Sequence, residues 1–372
     1  MQLKQYPYYI KSTVSLFGII LFVYCLSNLQ GILVPLAFAG VIAILLNPLF
    51  NRLQRHKVPR VLAIIVVLLA AFVFISAIMY FLSSQIARFS DTLPLLRQKF
   101  EIILNQSTHW LESNYGVAID KQVEMLKQAV DKSKGLLGQT VSTALGTLGL
   151  LLLIPVYVFM FLFYKPLILN FLFEVFAEEN AKQVSDVLNQ TKSSIQSYMV
   201  GLMLEALVVA ILNSTALLIL GVKYAILIGV IGALLNLLPY IGGLIAIILP
   251  VLMATVTKDG YSTQLGVIAA YIVIQFIDNN ILVPRIVSSK VKINALISIL
   301  AVLLGGSLWG VSGMFLSIPF VAILKIIFDR VDDMKPWGKL LGDEVPTRHK
   351  GEIWNRYRKK SSLAEKIVTP NV

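Results

Sequence analysis

Five apolar runs, at residues 10–28, 32–49, 61–82, 141–164 and 202–220, are each long enough to cross a bilayer as a helix. A hydrocarbon core about 30 Å thick is spanned by about 20 residues rising 1.5 Å each. Lipid offers the backbone no hydrogen-bond partner, so a spanning segment has to satisfy its own amides. Runs of this length therefore predict an all-α, polytopic membrane protein. The composition agrees, with 57% hydrophobic and only 14% charged residues against about 25% charged in soluble domains. The first run ends with no small-residue cleavage site and is kept as a helix rather than a signal peptide. Cys25, the single cysteine, lies within it, so an intramolecular disulfide is ruled out.

Charge sets the expected topology. The loop 51–60 carries Arg52, Arg55, Lys57 and Arg60 and no acidic residue, which places it, and with it the N-terminus, in the cytoplasm. Crossing parity then puts residues 83–140 outside and 165–199 inside. The external segment has apolar residues at helical spacing, Leu93, Leu96, Phe100, Ile103, Leu104 and Leu111, then Val123, Leu126 and Val130. It reads as two amphipathic helices that either lie on the membrane surface or pack against a neighbouring subunit, with packing the better reading. A further amphipathic helix is expected inside, at 174–197. Lys350, Arg356, Arg358, Lys359 and Lys360 make the tail basic and cytoplasmic. The net charge of +12 is concentrated in short connections and this tail. Topology and anionic lipid headgroups account for it, and nucleic-acid binding is excluded.

Residues 225–256 break the pattern. Two apolar arms of roughly 21 Å and 20 Å, each too short to span comfortably, meet at Pro239-Tyr240-Ile241-Gly242-Gly243. They predict a re-entrant hairpin whose irregular tip is buried in protein or lines a wet cavity. A full span follows at 264–283, ending at Pro284-Arg285. A second interrupted pair then runs from 293 to 328, broken at the glycine-rich stretch 305–313. Parity sends the two hairpins in from opposite faces. Lys223 precedes Pro250 by 27 residues, and Lys292 precedes Pro319 by the same 27, as in an internal repeat. Opposed broken helices are the inverted-repeat architecture of secondary transporters. The chain is thus expected to hold about eight membrane elements, including two oppositely oriented broken-helix hairpins. Five segments follow: N-terminal helices 1–82, the external segment 83–140, a fourth span and linker helix 141–200, a transport core 201–328 and a basic tail 329–372.

Two acidic residues lie inside apolar spans, Glu205 and Asp278, at a cost of about 2.5–3.5 kcal/mol each on insertion scales. Asp278 shares a helical face with Gln275, with Asn279 one residue on. This stripe fits a cation, a proton or a polar solute; the alternatives are an interfacial Asp278–Arg285 pair and a Glu205 that snorkels to the membrane surface. Asn236, Pro239, Tyr240, Gly242 and Gly243 at one tip, and Gly305, Gly306, Gly310 and Gly313 at the other, expose backbone groups that coordinate ions or polar solutes. Close packing through small residues is the alternative there. Pro284 and Pro319 complete the candidate pathway. Enzyme chemistry finds no support: His56, His109 and His349 all lie outside the spans, so Ser307 in Gly-Gly-Ser has no membrane base. No phosphate loop or zinc motif is visible, and neither a cofactor nor a metal is expected. Coupling is assigned to an ion gradient.

The stretches LLNLLPYIGGLIAIILPVL at 234–252, FIDNNILVPRIV at 276–287 and LLGGSLWGVSGMFLSIPFVAILK at 303–325 together resemble the autoinducer-2 exporter family of bacterial membrane proteins. The resemblance implies an inner-membrane transporter with both termini cytoplasmic, assembled as a homopentamer, that moves its cargo by an elevator-like displacement of the hairpin region. The implied cargo is a small hydrophilic solute, an autoinducer-2-like signal or a metabolite. Other members are credited with exchanging monovalent cations for protons, so a sodium or potassium/proton antiporter is the alternative. A membrane scaffold that transports nothing is the second.

Overall fold

The computed structural model describes residues 7–90, 153–175, 181–238, 242–258, 260–287 and 292–343, with isolated positions between 98 and 114. Nearly all of the expected external helices, the start of the fourth span, Pro239, Tyr240 and the basic tail lie outside the described residues.

Among the described residues every substantial element is helical. Helices α1 (Tyr8–Asn28), α2 (Gln30–Arg55) and α3 (Arg60–Ser90) correspond to the first three apolar runs. The fourth appears as α4 (Leu153–Phe163), which bends by 63° into α5 (Lys165–Val175). Among the described residues six helices are long and apolar enough to cross a membrane, or seven if the bent pair counts as one. The chain is an all-α, multi-pass membrane protein. Helices α2, α3 and α4 pack through Ala39, Ala43, Phe50, Ala63, Ile64, Val67, Val158 and Leu162. Ala39 and Ala43 fall on one face of α2, where short side chains let helices approach closely. Helix α1 contributes no buried residue, and its exposed Val14, Phe17, Ile20 and Phe22 suit lipid or a neighbouring chain.

The linker helix expected at 174–197 and the fifth span expected at 202–220 are not separate. They form one helix, α6 (Ala181–Ile219), of 39 residues. Nothing between residues 197 and 202 breaks it: Gly201 is tolerated because the chain packs closely there, its Cα facing the backbone of Ile286 and Val287.

Helix α6 is the axis on which both hairpins are mounted. Near its start, Asp186 and Gln190 each accept a 3.1 Å hydrogen bond from Arg330, at the base of the second hairpin. Near its end, Leu217 is buried with Val222, Ala225 and Ile228 at the base of the first. The two hairpins therefore stand on opposite ends of one helix and point in opposite directions.

The first hairpin comprises α7 (Ala225–Asn236), α8 (Gly242–Ala246) and α9 (Ile248–Thr257). Its arms meet where Gly232 faces Ala246. Helix α10 (Ser262–Ile277) follows and widens into a π-helical stretch, Asp278–Val287. Pro284 was expected to end this span but lies inside the widened turn. A proline lacks an N–H and clashes with the carbonyl four residues back, and the wider turn accommodates both defects.

The second hairpin is α11 (Ala295–Arg330), which departs from helical geometry only at Trp309 (φ −132°, ψ 21°) and Gly310 (φ 59°, ψ −142°). The break expected over 305–313 is thus two residues wide. The chain reverses there: Gly305 lies against Gly313, and the Trp309 ring meets that of Phe320 at 6.2 Å. A Cβ on Gly305 or on Gly313 would strike the other's carbonyl, so the reversal requires glycine at both. Gly310 takes a positive φ that L side chains adopt only under strain. The repeat marked by Lys223 and Lys292 has a backbone counterpart, since Tyr224 (φ 58°) and Lys292 (φ 40°) both turn left-handed where a hairpin begins. Helix α12 (Lys335–Leu341) closes the described chain. Asn294 ties it to α11, accepting from the Ile297 N–H and donating to the carbonyls of Leu340 and Gly342.

Candidate functional site

The tip of the first hairpin meets the point where α10 becomes π-helical. Asn236, the last residue of α7, donates from Nδ2 to Asp278 Oδ2 at 2.7 Å. Its Oδ1 accepts from Gln275 Nε2 at 3.5 Å. One amide thus bridges two side chains of the facing helix, which lie three residues apart and share a face. The Gln275 amide in turn lies directly over Gly243, where a Cβ would overlap its Oε1. Gly242 abuts the backbone of Leu235 and Asn236 and holds the tip against the end of α7. Asn236, Gly242, Gly243, Gln275 and Asp278 are therefore one constellation.

Asp278 is 2% exposed, and its Oδ1 is buried without a hydrogen-bond partner. A carboxylate accepts about four hydrogen bonds, and an unsatisfied one in an apolar interior is costly. The open oxygen is suited to a proton, a cation or a donor group of a polar solute. Glu205, 5% exposed on α6, lies within electrostatic reach of Asp278. Both alternatives weighed for these acids give way. Glu205 does not snorkel, because the continuous α6 carries it well inside the helix instead of at its first turn. Asp278 bonds Asn236 rather than Arg285, which is exposed. Among the described residues no group of three or more His, Cys, Asp or Glu side chains could hold a metal ion.

Other expected residues lie elsewhere. Asn279 and Pro284 are exposed on the π-helical stretch. Gly305 faces Gly313 and Ser317, and Gly306 faces Met314, across the hairpin's two arms, with Gly310 exposed and Pro319 buried. Their tip is anchored to α1, where Trp309 Nε1 donates to the Leu26 carbonyl at 3.0 Å.

Three further buried polar residues carry no charge to mark them in an apolar run. Gln264, Tyr271 and Asn213 are buried, and Gln264 Oε1, the Tyr271 hydroxyl and Asn213 Oδ1 have no partner. Gln264, Tyr271, Gln275 and Asp278 follow at intervals of seven, four and three, a single face of α10. Asn213 and Tyr271 both lie beside Gly232 of the first hairpin. A search of the apolar runs for uncharged polar residues at helical spacing would have found this polar line.

Comparison with known proteins agrees with this architecture. The chain is similar to the AI-2 transport protein TqsA of Escherichia coli (strain K12), 27% identical over 84% of this chain and 90% of that protein. It is similar to the putative transport protein YrrI of Bacillus subtilis (strain 168), 27% identical over 80% and 86%. The putative permease PerM of Escherichia coli (strain K12) is 29% identical over 84% and 89%. The profile described as AI-2E family transporter matches residues 14–333, and the chain therefore belongs to that family of membrane transporters.

Proposed function

We propose that this AI-2E family transporter is a secondary transporter of a small hydrophilic solute across the bacterial inner membrane, with the Asn236–Asp278 contact at its transport site. The observation that carries the reading is the buried Asp278 carboxylate, bonded to the hairpin tip through one oxygen and open at the other. A hairpin that moves against α10 makes and breaks this contact, so the occupancy of the open oxygen is coupled to hairpin position. Elevator-like displacement of the first hairpin along α10 is the motion this favours. The polar line of Gln264, Tyr271 and Gln275 supports a hydrated route along the same face. The printed name of the relative TqsA supports a signal molecule of the autoinducer-2 kind as the first cargo to try. Both termini are assigned to the cytoplasm from the basic loop 51–60 and the basic tail. A homopentamer is the expected assembly, and the unburied α1 supports contact with a second chain.

A second reading, sodium or potassium/proton antiport, is favoured by the same open oxygen and by Glu205 within reach of it. Everted vesicles carrying a pH-sensitive dye separate the two. Proton movement on addition of sodium or potassium selects the antiporter. No proton movement, with uptake of the signal into the same vesicles, selects the solute transporter. Absence of both, in vesicles shown to contain the protein, contradicts transport and favours a scaffold.

A further inference from the structure

A second polar cluster stands away from the hairpins, at the corner where α2 passes into α3 and α4 bends into α5. Lys165 occupies the bend, and its Nζ donates to Asn47 Oδ1 at 2.9 Å. Asn47 is 4% exposed, and its Nδ2 is buried without a partner. Arg60 donates from Nη2 to the Leu162 carbonyl at 2.9 Å and lies over the Phe163 ring at 5.6 Å, which leaves its Nε buried and unpartnered. Lys192, on α6, and Arg60 are both close enough to Lys165 for their charges to interact. Among the described residues none of these three cations forms an ion pair.

Three like charges are thus gathered in a partly buried corner beside two orphaned N–H donors. Like charges at this range repel, and a buried donor without an acceptor costs about 1–3 kcal/mol. A single anion bearing several acceptor oxygens relieves both. The surroundings also indicate what carries that anion. Tyr164, next to Lys165, lines an apolar crevice of about 150 Å³ together with Leu36, Tyr157, Met160, Phe161 and Ile168. The adjoining loop adds Arg52, Arg55 and Lys57. A phosphate lying beside an apolar groove is the chemistry of a phospholipid, and basic pockets between membrane helices are known to hold such headgroups.

We propose that Asn47, Arg60, Lys165 and Lys192 bind the phosphate of an anionic phospholipid, with an acyl chain lying along the crevice from Ile168 to Leu36. The lipid fastens the α4–α5 bend to the α2–α3 corner and to α6.

The test uses the full-length protein purified in neutral detergent. Native mass spectrometry follows adducts with phosphatidylglycerol and with phosphatidylcholine, and thermal denaturation is followed with each lipid. The wild type is expected to retain phosphatidylglycerol selectively and to be stabilised by it. Each of Lys165→Gln and Lys192→Gln is expected to weaken phosphatidylglycerol binding about fivefold, as for about 1 kcal/mol per lysine. Lys192→Gln carries the test if Lys165→Gln does not fold, because it leaves the Lys165–Asn47 hydrogen bond in place. Equal retention of both lipids by wild type and variants overturns the proposal. Stabilisation by inorganic phosphate that displaces phosphatidylglycerol overturns the lipid and assigns the site to free phosphate.

Discussion

Asn236 Nδ2 lies 2.7 Å from Asp278 Oδ2, and this bond joins the hairpin tip to the least exposed acidic side chain among the described residues. Nothing else in the described chain places a hairpin tip against an acidic side chain. The bond also explains why glycine stands at 243. Bringing the end of α7 this close to α10 leaves no room for a side chain at Gly243 beneath Gln275.

Removing either partner should therefore be costly, and removing both less so. Asn236→Ala leaves the carboxylate without its donor, and a loss of about 1–3 kcal/mol in stability is expected. Combining it with Asp278→Asn should recover part of that loss, giving a coupling of about 0.5–3 kcal/mol. Thermal denaturation of the four proteins in one detergent measures it, and strictly additive losses would show that the bond contributes nothing.

Gly243→Val should abolish transport through a collision with the Gln275 amide that forces the hairpin tip off α10 and impairs assembly. Shortening the neighbour, in Gly243→Val with Gln275→Ala, is expected to restore assembly and folding, as followed by size-exclusion chromatography. Because Gln275 also bonds Asn236, flux should return only in part.

The second hairpin offers a contrast between glycines. At Gly305 and Gly313 an added Cβ meets backbone, which cannot swing aside. Alanine at either is expected to cost about 1–3 kcal/mol through overpacking. Gly18→Ala has open space around it on α1 and should be neutral or stabilising by about 0.5–1 kcal/mol. Melting temperatures of the three variants in detergent give the comparison.

At the base of the same hairpin, Asn294 caps α11 and holds the carbonyls of Leu340 and Gly342. Asn294→Ala should cost about 1–2 kcal/mol and release α12. Limited proteolysis is expected to cut near residue 342 faster in the variant, with the membrane helices intact.

Much of the fold was legible because lipid imposes simple rules. Apolar length gave α1, α2, α3 and α10, and the Pro-Gly punctuation gave both hairpins. The two hairpins' opposed direction followed from the positive loop and parity, and α6 shows the same opposition from Asp186 to Leu217. Less legible were features that depend on side-chain volume and three-dimensional approach. The width of the Trp309–Gly310 turn depends on Gly305 meeting Gly313 across it. The fusion of two expected helices into α6 left no signal, since a continuous helix and two abutting ones share a periodicity. At the site, Asp278 and Gln275 were found through their shared face, and Asn236 through its place at the tip. That these three join in one chain of hydrogen bonds is a tertiary fact. Gln264, Tyr271 and Asn213 carry no charge and were passed over, although their spacing held the signal.

The proposed transport site depends on Asp278 as its binding group. Flux through proteoliposomes of wild type and Asp278→Asn tests this most directly, with autoinducer-2, sodium and potassium as cargoes and the pH varied on one side. The wild type should move at least one of them in a pH-dependent manner, and the variant, still folded, should fall at least tenfold and lose that pH dependence. A folded Asp278→Asn protein that transports at the wild-type rate with an unchanged pH profile would contradict it.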